Sequence, residues 1–291
     1  MPVPVVKNPW TLHLERCEEG LLRWIDPYSV SLIVADAPYN QGMEYSGHND
    51  NMPAAQYWAW TEAWLRAAHT VLAPHGSLFL FYPDEWVSEV DVFCRKELKL
   101  HRRNMIEWIF TFGQAARKSF TRSHIHILYY VKTASNFTYH ADAARVPSAR
   151  QLVYGDKRAK AGGKQPDDTW VLLKQDLELF LPEAGDVWLE NRVCGTYRAR
   201  QKHAPNQIPV PLLERIIKVA SDEGDLVCDP FVGTGSTGVA ALHLRRRFVG
   251  FDVSSLCLEE SNKRLQAVQA GVENGESPNL FPVLDQPQLK G

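Results

Sequence analysis

Four consecutive residues, Asp36-Ala37-Pro38-Tyr39, place a carboxylate, two main-chain carbonyls and an aromatic face within one short stretch. That set suits chemistry on the exocyclic amine of a heteroaromatic base. Such an amine is a poor nucleophile, because its lone pair is delocalised into the ring. The Asp36 carboxylate can accept one hydrogen bond from the amine, and a carbonyl of Ala37 or Pro38 can accept the other. Together they draw the nitrogen toward a tetrahedral geometry in which its lone pair faces an electrophile. Tyr39 offers a ring on which an extruded base can stack. Neither a covalent intermediate on the protein nor a metal is needed. The same residue types also make an ordinary turn, so the tetrapeptide by itself leaves both readings open.

A second cluster lies far downstream, from Asp225 to Asp252 (DLVCDPFVGTGSTGVAALHLRRRFVGFD). Gly233, Gly235 and Gly238 have the GxGxxG spacing, after a predicted strand and at the start of a predicted helix. In that pattern the first glycine permits a tight turn, the second lets the backbone approach a ligand, and the third lets helix and strand pack closely. Asp229, Pro230, Phe231 and Thr234 belong to the same turn. Asp252 closes the next strand, where its carboxylate can accept hydrogen bonds from both hydroxyls of a ribose. The unit predicts a nucleoside-cofactor site. Nicotinamide enzymes share the glycine spacing, so the turn does not separate NAD from S-adenosylmethionine.

These residues need elements to hold them. Ser29 to Asp36 reads as a buried strand with a polar end, and Met52 to Ala73 as a helix stopped by Pro74, His75 and Gly76. Ser77 to Tyr82 predicts a strand, Asp84 to Leu98 a helix, and Met105 to Phe112 and His124 to Lys132 two more strands joined by a basic loop. Val210 to Ala220 is an amphipathic helix. It is followed by a strand at Leu226 to Phe231, a helix at Gly235 to Leu244, a strand at Phe248 to Asp252 and a helix at Ser254 to Ala270. Strands alternating with helices imply an α/β fold, a mostly parallel sheet with helices on both faces. The pattern weakens between residues 139 and 190, and the tail 271–291 reads as loosely attached. One catalytic domain over 1–270, interrupted by the 139–190 segment, is the expected organisation.

Composition narrows the partners. The chain has 291 residues, 23% of them charged, and a net charge of −2. Between Arg95 and Lys164, however, fifteen Lys and Arg stand against four Asp and Glu. Such segregation points to a basic face for a polyanion. Lys157, Arg158, Lys160 and Lys164 are the candidate phosphate contacts. No run of apolar residues is long enough for a membrane helix, and Met1 to Trp10 lacks the apolar core of a signal peptide, so a cytoplasmic protein is expected. The five cysteines are scattered and form no CxxC pair, which reads as buried free thiols. His124 and His126 share one face of a predicted strand, but no third ligand lies nearby in sequence, so no metal is expected.

The chain resembles the β-class amino DNA methyltransferases. In that family a DPPY-type catalytic motif precedes an FxGxG cofactor motif, a circularly permuted order of the methyltransferase elements. Here Asp36-Ala37-Pro38-Tyr39-Asn40 precedes Phe231-Val232-Gly233-Thr234-Gly235. Asn191 to Tyr197 (NRVCGTY) and Lys202 to Pro209 (KHAPNQIP) are similar to the stretch leading into the family's cofactor-contacting helix, with His203, Gln207 and Pro209 among the best matches. Met105 to Lys132 resembles its later catalytic strands. The likeness spans residues 12–135 and 186–267. It implies a Rossmann-like S-adenosylmethionine-dependent methyltransferase fold and transfer of a methyl group to an amino group in double-stranded DNA. Aspartate at the first motif position implies adenine N6; the alternative is cytosine N4. Family members often form dimers, so a homodimer is an open expectation.

Three departures stand out. Ala37 replaces the usual first proline, which keeps the carbonyl but gives up a fixed φ; the chemistry tolerates this, and a catalytically weakened, DNA-binding descendant stays as the lesser alternative, with Ala37 its only support. Glu15-Arg16-Cys17 occupies the place of a GDC-like triplet. The 139–190 segment, where the resemblance places target recognition, is short. A NAD-dependent dehydrogenase would instead carry a long substrate domain after its glycine turn, and only about forty residues follow Asp252.

Overall fold

The computed structural model describes residues 9–45, 47–114, 118–145, 157–158, 164–165, 168–170 and 207–273. Its elements are, in chain order, β1 (Trp10–Leu14), α1 (Cys17–Trp24), β2 (Val30–Ala35), β3 (Glu44–Tyr45), β4 (His48–Asn49), α2 (Ala54–Val71), β5 (Leu72–Tyr82), α3 (Val87–Lys96), β6 (His101–Gln114), β7 (Arg122–Val131), α4 (Ala141–Ala144), β8 (Thr169–Trp170), α5 (Val210–Ala220), β9 (Leu226–Asp229), α6 (Ser236–His243), β10 (Arg247–Asp252) and α7 (Ser255–Glu273). Eight strands form one sheet in the order β1-β10-β9-β2-β5-β7-β6-β8. The five strands from β1 to β5 run parallel, and β7 is antiparallel to both of its neighbours.

Burial follows from strand composition. All six residues of β2 are buried, as expected for a parallel strand covered on both faces. Alternate side chains of the central strands feed two cores. Leu32, Val34, Phe79 and Val227 pack against α5, α6 and α7 on one face. Ile33, Ala35, Leu78, Leu80 and Cys228 pack against α1, α2 and α3 on the other. In α2, buried Tyr57, Thr61, Trp64, Leu65, Ala68 and Val71 recur at helical spacing. The predicted bounds of the helix Val210–Ala220 coincide with α5.

Several expectations shift. α2 ends at Val71, ahead of Pro74, His75 and Gly76, which belong to β5 starting at Leu72. The pairing with β2 is irregular there, between Val30 and Leu32, and a proline without an N–H is tolerated at such a break. Strand β1 and helix α1 escaped the periodicity reading. β1 is a five-residue edge strand with only partly buried side chains, too short to show a period. Within 139–190 the described residues include α4 and the two-residue β8, which pairs with β6 at Glu107 and Trp108; residues 146–156, 159–163, 166–167 and 171–190 and the tail beyond Glu273 lie outside the described residues. The final helix runs past Ala270 to Glu273. Among the described residues no helix is long and apolar enough to cross a membrane. Cys17, Cys94 and Cys228 are buried free thiols.

Candidate functional site

β2 and β9 lie side by side and parallel, with Leu32 opposite Val227 and Ile33 opposite Cys228. From β9 the chain crosses through α6 to β10; from β2 it crosses through α2 to β5, on the opposite face of the sheet. The crossovers diverge at this pair, and open α/β sheets bind ligands outside the carboxyl ends of strands at such a point. A cavity of about 350 Å³ opens there. Asp36, Ala37, Pro38 and Tyr39 line it from β2, Asp229 to Thr234 from β9, and Asp252 to Ser254 from β10. The two motifs, almost 200 residues apart in the chain, therefore face one space.

The loop after β2 is held from within. Asn40 takes the left-handed region with φ 59°, which asparagine tolerates better than most residues. Its side chain donates to the Met52 carbonyl at 2.8 Å and accepts from the Met52 N–H at 2.6 Å. The buried Asp50 carboxylate accepts the N–H groups of Asn40, Gln41 and Met43. Tyr57, inside α2, donates its hydroxyl to the Pro38 carbonyl at 2.9 Å. Tyr39 is buried beside Tyr82 and donates its hydroxyl to Asp36 Oδ1. Ala37 is buried in the core beneath the loop.

Asp50, Tyr57 and the cavity-lining Tyr45, His48 and Trp60 were missed by sequence reasoning. They lie in the β3–β4 hairpin and on α2, with no motif of their own. The only prior signal was the unusual aromatic density of Tyr57-Trp58-Ala59-Trp60. Replacing Tyr57 by phenylalanine removes the bond to Pro38 while keeping the ring in its packed place. The expected result is a kcat lowered roughly 10- to 100-fold by a loosened loop, with cofactor affinity unchanged. Equal kcat in steady-state assays would remove Tyr57 from the positioning of Pro38.

The glycine turn carries its strain where glycine tolerates it. Gly233 and Gly235 have φ of 51° and 76°, a region other residues enter only at a cost. Gly233 lines the cavity, and a Cβ there would meet only the Phe231 carbonyl, at an ordinary 3.9 Å, but Gly235 does not line it; a Cβ there would come 2.9 Å from Ser261 on α7. Sequence reasoning assigned the close ligand approach to the second glycine. Of the two, only Gly233 lines the cavity, while Gly235 packs against α7. The third behaves as expected: a Cβ on Gly238 would meet Phe248 of β10 at 2.8 Å. α7 also fastens the turn, through Ser261 Oγ donating to the Gly233 carbonyl and Arg264 to the Thr234 carbonyl.

Two carboxylates stand at this turn. Asp252 accepts the Gly233 N–H at 2.9 Å through Oδ2 and the Ser254 N–H at 2.8 Å through Oδ1. A carboxylate has about four lone-pair sites, so the group can anchor the turn and still accept from a ribose. Burial raises its pKa. Asp229 is buried and accepts the Phe231 N–H at 2.9 Å. Burial pushes its pKa up to about 6. Gln207 lines the cavity from the stretch before α5; Pro209 sits at the N-terminus of α5 and does not line it. His203 and the motif NRVCGTY lie outside the described residues. Glu15, at the end of β1, lines the far wall, tied to Arg23 at 2.6 Å and to the Trp24 indole.

Among the described residues, the basic stretch does not form one face around this cavity. Arg95 and Arg102 both pair with Asp91, and Arg122 pairs with Asp84 and Glu85. Lys132 donates to the carbonyls of His69 and Leu72 at the end of α2. Register places Arg102 and Lys132 at the amino end of β5, away from Asp36, and Arg122 at its carboxyl end. Adjacent basic residues in sequence are thus split by the hairpin between two ends of the sheet. Lys157 and Arg158 are exposed and Lys164 is half-buried, while Lys160 lies outside the described residues.

A family model described as a DNA methylase matches residues 30–263, most of the chain. The chain belongs to this DNA methylase family. The methylase is 32% identical over 249 residues to the DNA adenine methyltransferase YhdJ of Escherichia coli strain K12, spanning 84% of this chain and 79% of that one. It is 28% identical over 253 residues to the type II methyltransferase M.HpaI of Haemophilus parainfluenzae, spanning 87% and 73%. Its fold is shared with the PvuII DNA methyltransferase (cytosine-N4-specific), at a TM-score of 0.61 with 14% identity over 92% of this chain and 93% of that one. It is shared also with a putative DNA modification methylase from Thermus thermophilus complexed with S-adenosyl-L-methionine, at 0.57 with 20% identity over 89% and 96%. The β-class resemblance and the α/β methyltransferase fold expected from sequence are both borne out.

Proposed function

We propose that this methylase transfers a methyl group from S-adenosylmethionine to the N6 amino group of an adenine extruded from duplex DNA. The observation that carries the reading is the shared cavity, in which the Asp36 loop faces the glycine turn and Asp252. The relative named as an adenine methyltransferase, at 32% identity, supports adenine over cytosine.

The site suits this cofactor on its own features. Gly233 leaves space at the wall, Asp252 keeps lone pairs for two hydroxyls, and Asp229 supplies a buried carboxylate near which a cationic group is favoured. S-adenosylmethionine supplies an electrophilic methyl carried on a sulfonium. The remaining work belongs to the chain. Asp36 and the Ala37 carbonyl accept the two amino hydrogens, and the amine replaces the Tyr39 hydroxyl on Asp36 as it arrives. Tyr57 holds the Pro38 carbonyl so that the loop keeps its shape. Tyr39 presents its ring to the base. Lys157, Arg158, Lys160 and Lys164 are assigned to backbone phosphates, which position the duplex without reading it.

The test is incubation with unmethylated DNA and methyl-labelled S-adenosylmethionine, then digestion to nucleosides. Label on N6-methyladenine is expected; label on N4-methylcytosine would overturn the base assignment and leave the rest.

Asp229 makes cofactor binding pH-dependent. Its folded pKa, about 6, lies above the ordinary 3.8. The protonated form is therefore the one the fold favours, and stability from this group is lost as pH rises from about 4 to about 6. A bound cation favours the carboxylate instead, so affinity should fall up to about tenfold per pH unit below pH 6. Calorimetry across pH 5 to 8 should show this slope in the wild type and a flatter one in Asp229→Asn. Parallel slopes would detach Asp229 from the cofactor's charge.

A further inference from the structure

The fold brings together a carboxylate and two imidazoles that the proposed reaction leaves unused. Asp84 follows the carboxyl end of β5, and His124 and His126 stand on β7. His126 Nε2 lies 2.7 Å from Asp84 Oδ1, and His124 Nε2 lies 3.2 Å from the same oxygen. The ligand atoms of all three residues lie within 4.8 Å of one another. The missing third ligand of the sequence reading is thus supplied from some forty residues upstream, because β5 and β7 are paired, with Tyr82 opposite His126.

A fourth group decides how this cluster is read. Glu107 on β6 lies directly across the ladder from His126, and its Oε1 is 2.7 Å from His126 Nδ1. A carboxylate only accepts, so Nδ1 carries the proton. A neutral His126 then turns a bare Nε2 lone pair onto a carboxylate oxygen at 2.7 Å. Two acceptors in that contact need a cation between them, either a proton or a metal ion. A carboxylate behind one imidazole, fixing its tautomer and aim, is the arrangement that orients metal-bound histidines. The 3.2 Å from His124 Nε2 to Asp84 Oδ1 is also near the spacing of neighbouring ligands around a tetrahedral ion, about 3.3 Å for bonds of about 2.0 Å, while the 2.7 Å contact of His126 has to widen to admit the ion. Asp84 is exposed and His124 half-buried, which leaves room for water in the remaining positions.

We propose that Asp84, His124 and His126 bind a divalent ion of the zinc type, with Glu107 orienting His126. Two imidazoles with one carboxylate suit Zn²⁺ or Co²⁺ better than Mg²⁺ or Ca²⁺, which prefer oxygen ligands. The ion has no part in methyl transfer. It ties the turn end of the β6–β7 hairpin to the end of β5. In the same place Arg122 holds Asp84 and Glu85, and Gln41, just past the Asp36 loop, reaches Glu85 at 3.3 Å.

The experiment uses tag-free full-length protein, stripped with a chelator and titrated with Co²⁺ by visible absorption and with Zn²⁺ by calorimetry. One ion per chain is expected, with ligand-field bands in the Co²⁺ form. His124→Ala, His126→Ala and Asp84→Asn should each abolish those bands. Glu107→Ala, which keeps all three ligands, should weaken binding about 10- to 100-fold. S-adenosylhomocysteine binding serves as the folding control, because none of the four residues lines the cavity. Equal metal uptake by the wild type and a folded variant lacking both histidines would overturn the site and leave a protonated ion-pair network in its place.

Discussion

Replacing Asp36 by alanine should lower methyl transfer by about 10³-fold, equivalent to ~4 kcal/mol of transition-state stabilisation. The carboxylate lies at the end of β2, on the cavity wall, and its loop is held by Asn40, Asp50 and Tyr57 as well as by the Tyr39 bond to Asp36. The fold and the glycine turn should therefore survive. Cofactor affinity should stay close to that of the wild type, while single-turnover methylation collapses. Retention of more than a tenth of the rate would show that another group accepts from the amine. The Tyr39 hydroxyl loses its acceptor in this variant. Tyr39→Phe separates that effect, since it removes the same bond and leaves the carboxylate.

Asp252→Ala should raise the dissociation constant for S-adenosylhomocysteine about 100-fold. Hydrogen bonds to a charged acceptor contribute about 1.5–3 kcal/mol each, and ~3 kcal/mol lost over two hydroxyls corresponds to that factor. The effect has a second source. Asp252 is also the acceptor for the Gly233 and Ser254 N–H groups, so alanine leaves two part-buried donors without it and lets the turn relax. The melting temperature of the unliganded variant should drop as well. Asp252→Asn should recover part of the stability, since an amide oxygen still accepts one of those N–H groups. Unchanged affinity in Asp252→Ala, measured by calorimetry, would remove the residue from the cofactor site.

The two motifs were legible because their signals are local. A carboxylate, carbonyls and an aromatic ring within four residues, or glycines at GxGxxG spacing after an apolar run, describe a turn whose shape is set within a few bonds. Element types were legible for the same reason: α5 shows its buried Leu212, Leu213, Ile216 and Ile217 on one helical face, and β2 shows an apolar run from Leu32 to Ala35. What failed was local only in appearance. Gly235 reads as a ligand-approach glycine, yet its neighbour is Ser261 on another helix. The basic stretch reads as one surface, yet Arg102 and Lys132 are separated from Arg122 by the length of a strand, and these residues are already partnered.

The sequence by itself determined the α/β class, the order of the catalytic and cofactor motifs and the family to which the chain belongs, because backbone geometry and side-chain period act over a few residues at a time. The tertiary structure decided what meets across the sheet. Pairing of β2 with β9 sets Asp36 facing Gly233. Burial of Asp50 under the loop lets one carboxylate satisfy three N–H groups. The β5–β7 register carries Asp84 to His124 and His126. Such contacts depend on register between segments whose separation in the chain leaves no periodic trace, and only closure of the fold brings their side chains within hydrogen-bonding distance.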